Sequence, residues 1–266
     1  MSEIIEHDVE GYLNHLRVTH AESTIGVHKG VLNQFMKFYN KEYTPQRNYD
    51  NFLVEHKLRG HKKDSIRLYG SIIRCYYRYV GIPSDNLNLP RGQKRHRDAL
   101  NERQQKELLE YLSDDYMFLV TQLLVNTGLR VSEACNLRWT DIDMNSRKLI
   151  VQHGKGDKKR TIPLNDTSME TLHELQHYKG EYVITSWRGK KTSPRALQYH
   201  YRSISEDLGF TVTPHILRHT FATNMIHKGL DVTVLQKIMG HTNLNTTQLY
   251  VHHDFNSIQE KFMEVQ

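Results

Sequence analysis

The chain has 266 residues, which suggests two domains at about 150 residues each. Its composition, 38% hydrophobic and 25% charged, is typical of a soluble globular protein, and no run approaches the ~18 unbroken apolar residues of a membrane helix. The net charge of +6 is unevenly distributed, because residues 91–97 contain four bases and no acid. A basic segment between two nearly balanced bodies is either a solvated tether or a contact for a polyanion.

The N-terminus and the cysteines bear on the compartment. The first residues are acidic and lack the basic and apolar regions of a secretory signal. Cys75 and Cys135 are too few for a disulfide framework or a four-cysteine zinc site, and both fall in apolar helical patterns. We therefore expect reduced core cysteines and a cytoplasmic protein.

Apolar residues at helical spacing predict four helices in the first 80 residues. The fourth helix has an apolar stripe that includes Ile66, Ile73 and Tyr77. Four bases lie mainly along another of its faces: Lys63, Arg67, Arg74 and Arg78. This face is either the solvated side of an amphipathic helix or a surface that positions DNA phosphates, and the basic segment that follows favours the second interpretation. The sequence Gly81-Ile82-Pro83 ends the bundle and predicts a domain boundary within residues 83–99.

The remaining residues predict a mainly helical region with a small antiparallel sheet. Helices are expected over residues 102–112 and 116–126, followed by a short helix that carries Val131 and Ala134. Alternating, β-branched segments at 138–143, 148–153 and 159–164 predict a three-stranded meander. Further helices are predicted at 166–178, 194–208, 214–228, 231–239, 243–252 and 255–264.

The candidate chemistry rests on cations and one phenol. The sequence has no phosphate-binding glycine loop, no Gly-x-Ser-x-Gly element and no metal-ligand spacing, so we expect neither a cofactor nor a metal ion. The candidate residues are Arg130, Glu133, Lys155, His215, Arg218, His241 and Tyr250. Each has an ordinary structural interpretation when taken alone, such as a helix ion pair for Arg130 and Glu133 or a core position for Tyr250.

Taken together and in this order, these residues resemble the tyrosine recombinase (phage integrase) family, especially its compact Xer-like members. The motifs are Thr127-Gly-Leu-Arg-Val-Ser-Glu133, Gly154-Lys-Gly156, His215-x-x-Arg218-His219, Gly240-His241 and Tyr250. The resemblance covers nearly the whole chain. It implies an N-terminal helical core-binding (SAM-like) domain over residues 1–82, a basic linker over 83–99 and an α+β catalytic domain over 100–266.

The resemblance also implies a role for each residue. Arg130 and Arg218 match the two arginines that clamp the scissile phosphate, and Glu133 matches an acidic position that supports the first of them. Four further positions match the lysine of the turn between strands two and three, the two histidines around the phosphate and the nucleophile: Lys155, His215, His241 and Tyr250. We expect DNA contacts from Lys63, Arg67, Arg74, Arg78, Arg91, Lys94, Arg95, Arg97, Lys158 and Lys159.

These residue types suit attack on a phosphodiester. Two guanidiniums can hold the charge on the non-bridging oxygens with paired hydrogen bonds, most strongly in the transition state. A tyrosine phenol, with a pKa near 10, needs a cationic pocket to act as a nucleophile. A lysine at a hairpin tip can protonate the leaving 5′-oxygen. No step requires a metal ion or a nucleotide.

The resemblance implies a site-specific DNA recombinase that cleaves and rejoins strands through a 3′-phosphotyrosine intermediate. It also implies a homo-tetramer on two DNA duplexes in the nucleoid, with no membrane partner. The C-terminal helix is expected to pack onto a neighbouring protomer, with packing on its own domain as the alternative. A type IB topoisomerase-like enzyme and a DNA-binding repressor are the rival functions. The target site, the role in integration, excision, inversion or dimer resolution, and the need for accessory recombination factors stay open.

Overall fold

The N-terminal region is a four-helix bundle. The structure is a computed structural model, and it describes residues 8–91, 99–113, 115–152, 159–186, 188–240, 259 and 262–264. The helices of the bundle are α1 (Val9–Arg17), α2 (Glu22–Phe38), α3 (Pro45–Leu58) and α4 (Lys63–Tyr79). Their apolar faces meet in one core, in which Leu32, Phe35 and Ile73 are fully buried. The four predicted helices are therefore present. Cys75 is exposed on α4, so its expected core position was wrong.

The chain divides into two units, Met1–His96 and Arg97–Gln266. The segment after α4 belongs to the first unit, because Leu87 is buried in its core and the Tyr49 hydroxyl donates to the carbonyl of Asn88 at 3.0 Å. Arg67 donates to the Pro90 carbonyl at 2.8 Å. Residues 83–90, which the sequence analysis assigned to the linker, are thus anchored to the bundle by one apolar side chain and two hydrogen bonds.

The second unit is mainly helical with a small sheet, as predicted. Its first elements are α5 (Glu102–Tyr111), α6 (Tyr116–Thr127), α7 (Val131–Asn136), a 3-10 turn (Trp139–Asp141), β1 (Ile142–Asp143), β2 (Lys148–Val151) and β3 (Arg160–Pro163). They are followed by α8 (Asp166–Leu175), α9 (Pro194–Leu208), α10 (Pro214–His227) and α11 (Val232–Met239). The predicted helix at 243–252 and most of the one at 255–264 lie outside the described residues.

The sheet is an antiparallel meander with the order β1-β2-β3. Leu149 pairs with Ile142 on one side and with Ile162 on the other, and Val151 pairs with Arg160. The first strand is shorter than predicted, because Trp139–Asp141 forms a 3-10 turn. The buried Asp141 carboxylate accepts the Arg138 backbone N–H at 3.0 Å and the Gln152 side chain at 2.9 Å, which stabilises the turn.

Helix α6 lies at the centre of this unit, against α8 and α10. It ends at Gly128, which has a φ of 61° and is left-handed. A Cβ atom there would lie 2.3 Å from Cδ1 of Phe221 on α10, so no larger residue fits without displacing that ring. This close approach fixes the start of the segment that carries Arg130.

The described C-terminal residues pack on their own unit. Phe262 is fully buried in the core of residues 97–266, and its ring centroid lies 6.4 Å from that of Phe221. In the single chain Phe262 thus follows the alternative of packing on its own domain, and docking of the C-terminal helix on a neighbouring protomer stays a prediction. Within the described ranges, no helix is both long and apolar enough to cross a membrane.

Candidate active site

The candidate site is built around the Glu133 carboxylate in the first turn of α7. Glu133 Oε2 accepts the backbone N–H of Arg130 at 2.7 Å, and Oε1 accepts Nη1 of the same arginine at 2.7 Å. The first contact satisfies a backbone donor at the start of the helix, and the second fixes the guanidinium. The local Arg-x-x-Glu spacing thus places Arg130 beside the carboxylate.

A second arginine, from β3, pairs with both oxygens of the same carboxylate. Arg160 Nη1 donates to Glu133 Oε1 at 2.8 Å, and Nη2 donates to Oε2 at 2.7 Å. Arg218, on α10, has its Nη1 atom 4.0 Å from Oε2. The side chains of Glu133, Arg160 and Arg218 are 3%, 8% and 7% exposed, whereas that of Arg130 is 26% exposed. Arg130 is therefore the most accessible guanidinium of this cluster.

The end of α11 supplies carbonyl acceptors to all three arginines. Arg160 Nε donates to Ile238 O at 2.7 Å, Arg218 Nη2 donates to Met239 O at 2.7 Å, and Arg130 Nη2 donates to Gly240 O at 3.1 Å. Arg218 Nη1 also donates to the Gly128 carbonyl. The last carbonyls of a helix have no intrahelical partner and carry partial negative charge, so guanidiniums stabilise this end. Residue 241 follows directly.

The pKa values show how burial and charge compete in this cluster. Burial raises the pKa of Glu133, but hydrogen bonds from Arg160 and Arg130 outweigh it and lower the pKa to about 2. Burial lowers the pKa of Arg218 to about 10, and the nearby charge of Arg130 acts in the same direction. At neutral pH the carboxylate and Arg218 are therefore both ionised. Three guanidiniums around one carboxylate leave two surplus positive charges, which an anion can compensate.

His215 lies at the start of α10, one turn before Arg218. Thr213 caps this helix by accepting the Ile216 N–H at 3.1 Å, and Pro214 occupies its first position. The His215 side chain is exposed, in contrast to the buried Arg218. The structure thus brings Arg130, Glu133 and Arg218 together and places His215 on the same helix as the second arginine.

Several predicted residues fall outside the described ranges: Lys94, Arg95, Arg97, Lys155, Lys158, His241 and Tyr250. Lys159, the residue before β3, is described and exposed. Two of the residues outside the described ranges are close in sequence to described parts of the site: Lys155 precedes β3, and His241 follows α11. Among the described residues, no group of three His, Cys, Asp or Glu side chains is arranged to hold a metal ion.

The predicted basic face of α4 is present in the first unit. At about 100° per residue, Lys63, Arg67, Arg74 and Arg78 fall within about 60° of one another around the helix axis. Arg74 is half-buried, and the other three are exposed. Arg67 bonds to the Pro90 carbonyl, and Arg78 lies 3.6 Å from Asp85 in an exposed ion pair. Such a pair is weak and can be exchanged for a phosphate contact. Arg91 is also exposed.

Arg160 was missing from the sequence-based site. Strand alternation could have revealed it, because Arg160 and Ile162 share one face of β3 and Ile162 is fully buried. An arginine on the inward face of a strand requires a carboxylate or several carbonyls, since an unpaired buried charge is costly. Glu133 and Ile238 supply these partners.

The chain is similar to known recombinases and integrases in sequence and in fold. Residues 98–257 match the phage integrase family. The tyrosine recombinase XerA of Pyrococcus furiosus is 34% identical over 228 residues, covering 80% of this chain and 79% of XerA. The fold resembles that of the Tn1549 transposon integrase in complex with a circular intermediate DNA, with a TM-score of 0.75 at 17% identity, covering 98% of this chain and 97% of the integrase. It also resembles a lambda integrase tetramer bound to a Holliday junction, with a TM-score of 0.75 at 20% identity, covering 92% of this chain and 79% of that one.

Proposed function

Because the chain belongs to the phage integrase family of tyrosine recombinases and is thus a site-specific DNA strand transferase, we propose that Arg130 and Arg218 clamp the scissile phosphate. The observation that carries this assignment is the cluster of three guanidiniums around one buried carboxylate. Attack of a deprotonated phenol on a phosphodiester creates a transition state with two negative charges. The two surplus positive charges of the cluster match that charge and are already fixed before DNA binds.

In the proposed cleavage step, the Tyr250 hydroxyl oxygen forms a bond to phosphorus as the bond from phosphorus to the 5′-oxygen breaks. The phenol loses its proton to a base, for which His215 is the candidate, and the 5′-oxygen gains a proton from Lys155. His241 donates a hydrogen bond to a non-bridging oxygen. One ester replaces another, so attack by a 5′-hydroxyl on the phosphotyrosine reverses the step and rejoins the strand.

Burial and hydrogen bonding argue against Tyr201 and Tyr116 as the nucleophile. Tyr201 is fully buried, its hydroxyl bonds to Thr121 at 2.9 Å, and burial raises its pKa further above the usual value. The Tyr116 hydroxyl accepts the Thr185 N–H at 2.9 Å. Tyr199 is 72% exposed on α9, outside the arginine cluster. It therefore provides a matched control for Tyr250.

The test is covalent adduct formation on a nicked duplex, in which loss of a short fragment prevents religation. The duplex carries the half-site that the full chain selects from a random-sequence library. We expect Tyr250→Phe to bind this DNA with unchanged affinity but to form no adduct, because it lacks the attacking oxygen. Tyr199→Phe is expected to form the adduct at the wild-type rate. An adduct that persists in Tyr250→Phe would falsify the assignment of the nucleophile.

We also infer that residues 1–82 form a core-binding domain, that the bases of residues 91–97 contact DNA phosphates, and that the protein acts in the cytoplasm. The α4 basic face and the charge of the linker support the first two inferences. Four protomers on two duplexes form the proposed working complex, which is supported by the fold shared with the lambda integrase tetramer bound to a Holliday junction. Integration, excision and dimer resolution are the candidate outcomes, with or without accessory factors.

A further inference from the structure

We propose that Arg160 is a positioning residue for the cleavage reaction, because it holds the Glu133 carboxylate that orients Arg130 and joins β3 to the end of α11. The inference rests on the proposed function, since the orientation of Arg130 matters only if Arg130 clamps the phosphate. Arg160 itself is not assigned a contact with DNA.

The donors of Arg160 point into the protein. Both of its Nη atoms donate to Glu133, and Nε donates to the Ile238 carbonyl. Its side chain is 8% exposed, against 26% for Arg130. A guanidinium whose three nitrogens are all engaged inside the fold acts on the substrate through its neighbours.

Arg160 supplies two of the four hydrogen bonds that hold the Glu133 carboxylate. The charged groups that face this carboxylate are Arg130 from its own helix start, Arg160 from β3 and Arg218 from α10. Burial favours the neutral acid, so the ionised form depends on these donors. Removing Arg160 would raise the pKa of Glu133 and weaken its hold on Arg130.

Arg160 also connects two chain segments that are close in sequence to proposed site residues. It is the first residue of β3, five positions after Lys155, and its bond to Ile238 reaches α11 three positions before His241. A Cβ atom on Gly240 would lie 2.9 Å from Cδ of Arg160, so the arginine packs directly against the end of α11. One side chain therefore contacts the Arg130–Glu133 pair, the strand and the helix end.

The experiment compares Arg160→Met, Arg160→Lys and the control Arg147→Met on the nicked half-site duplex described above. Arg147 is an arginine of the same unit that pairs with Asp166, away from the Glu133 cluster. Single-turnover rates of adduct formation are measured from pH 5.5 to 8.5 at saturating protein, together with half-site affinity at several salt concentrations. A misplaced Arg130 is expected to slow Arg160→Met by about tenfold to a hundredfold at pH 7.

Three further results are expected. The rate of Arg160→Met relative to wild type rises with pH, because Glu133 ionises again as the pH passes its raised pKa. Arg160→Lys keeps the charge and recovers part of the rate, whereas Arg147→Met keeps the wild-type pH profile. The double variant Glu133→Gln/Arg160→Met is no slower than Glu133→Gln alone, since both changes remove the same support.

Other outcomes would overturn the proposal. A pH-independent defect that is equal in the Met and Lys variants would make Arg160 a purely structural residue. If Arg160→Met reduced the slope of log half-site affinity against log salt concentration by about 0.9, Arg160 would instead contact a phosphate. Thermal melting shows whether Arg160→Met is folded. If it is not, the pH profile of adduct formation in Arg160→Lys is compared with that of the wild type instead. Absence of an adduct in the wild type would refute the proposed function, whereas a wild-type adduct with normal rates in both Arg160 variants refutes only the role of Arg160.

Discussion

At Glu133, burial and ion pairing act in opposite directions. An isolated carboxyl that is 3% exposed would be neutral, yet four N–H donors keep this one ionised. Its pKa of about 2 lies below the ordinary value of 4.5, so the folded state binds the proton less tightly than the unfolded state. The stabilisation by this group is complete above pH 4.5 and is lost as the pH falls towards 2.

This linkage predicts an acid-dependent stability difference between wild type and Glu133→Gln. Glutamine cannot ionise, so the gap in the free energy of unfolding should narrow by about 2 to 3 kcal/mol between pH 6 and pH 2.5. Urea unfolding of the second unit at several pH values measures the gap. The exposed carboxylate of Glu206 provides the control, Glu206→Gln. A gap that stays constant over this range would show that Glu133 does not titrate as proposed.

Contacts between residues that are close in the sequence were easier to predict than contacts between distant residues. Arg130 and Glu133 are three residues apart, and Arg218 and His215 share one helical turn, so each pair is local in the sequence, whereas their catalytic roles were implied only by the family resemblance. Arg160 meets Glu133 across 27 positions and Ile238 across 78, and no local pattern encodes those pairings. The catalytic roles of all these residues stay predictions, as do those of Lys155, His241 and Tyr250.

At the scale of elements, the end of α11 depends on a glycine for two separate reasons. Gly240 has a φ of 64°, a left-handed conformation that costs other residues about 1–2 kcal/mol. Its missing Cβ also leaves room for Arg160, whose Cδ would lie 2.9 Å away. Gly209 ends α9 with a similar φ of 72°, but a Cβ there would meet nothing within 4 Å.

This contrast predicts different results for two alanine substitutions. Gly209→Ala should cost about 1–2 kcal/mol of stability and leave adduct formation unchanged. Gly240→Ala should cost more and also slow adduct formation, because it displaces Arg160 from Ile238 and Glu133. Urea unfolding and the nicked-duplex assay measure the two effects. Equal rates of adduct formation in both variants would show that the end of α11 does not affect adduct formation through the arginine cluster.

Among the elements, those with a regular apolar period were predicted best. The stripe of α4 and the alternation of β2 and β3 correspond to the observed elements within a few residues. The sequence missed the 3-10 turn at Trp139–Asp141, because its stability comes from one buried carboxylate rather than from a period. It also left residues 179–193 unassigned, where single bridges join Arg138 to Tyr182 and Thr185 to Lys191. Pairings this short have no detectable alternation.

At the scale of the whole molecule, four of the six net positive charges lie in the short segment of residues 91–97. Residues 91–97 supply four bases, whereas residues 98–266 are balanced. The balanced charge of residues 98–266 includes the two surplus charges of the Glu133 cluster, so the rest of this range has an excess of acidic residues. DNA binding is therefore expected to depend on local basic surfaces rather than on the net charge.

The linker prediction concerns the salt dependence of DNA affinity. Replacing Arg91, Lys94, Arg95 and Arg97 by glutamine should weaken binding to all sequences alike, because phosphate contacts do not read bases. If each base neutralises one phosphate, each replacement should reduce the slope of log affinity against log salt by about 0.9. Fluorescence anisotropy at several salt concentrations measures this slope. The control is Arg59→Gln, because Arg59 is an exposed base directly after α3 that pairs with Glu55. An unchanged slope in the linker variant would identify a solvated tether.

The surplus charge of the cluster has a consequence for the protein without DNA. Three guanidiniums crowd around one carboxylate, and two of them are less than a tenth exposed, so part of the folding free energy is spent against their mutual repulsion. These like charges repel one another inside the second unit. An anion that binds among these arginines reduces this repulsion, and by mass action it shifts the equilibrium towards the folded chain. On the proposed assignment, the scissile phosphodiester is such an anion, so we expect the folded chain to be more stable with its target DNA bound than without it.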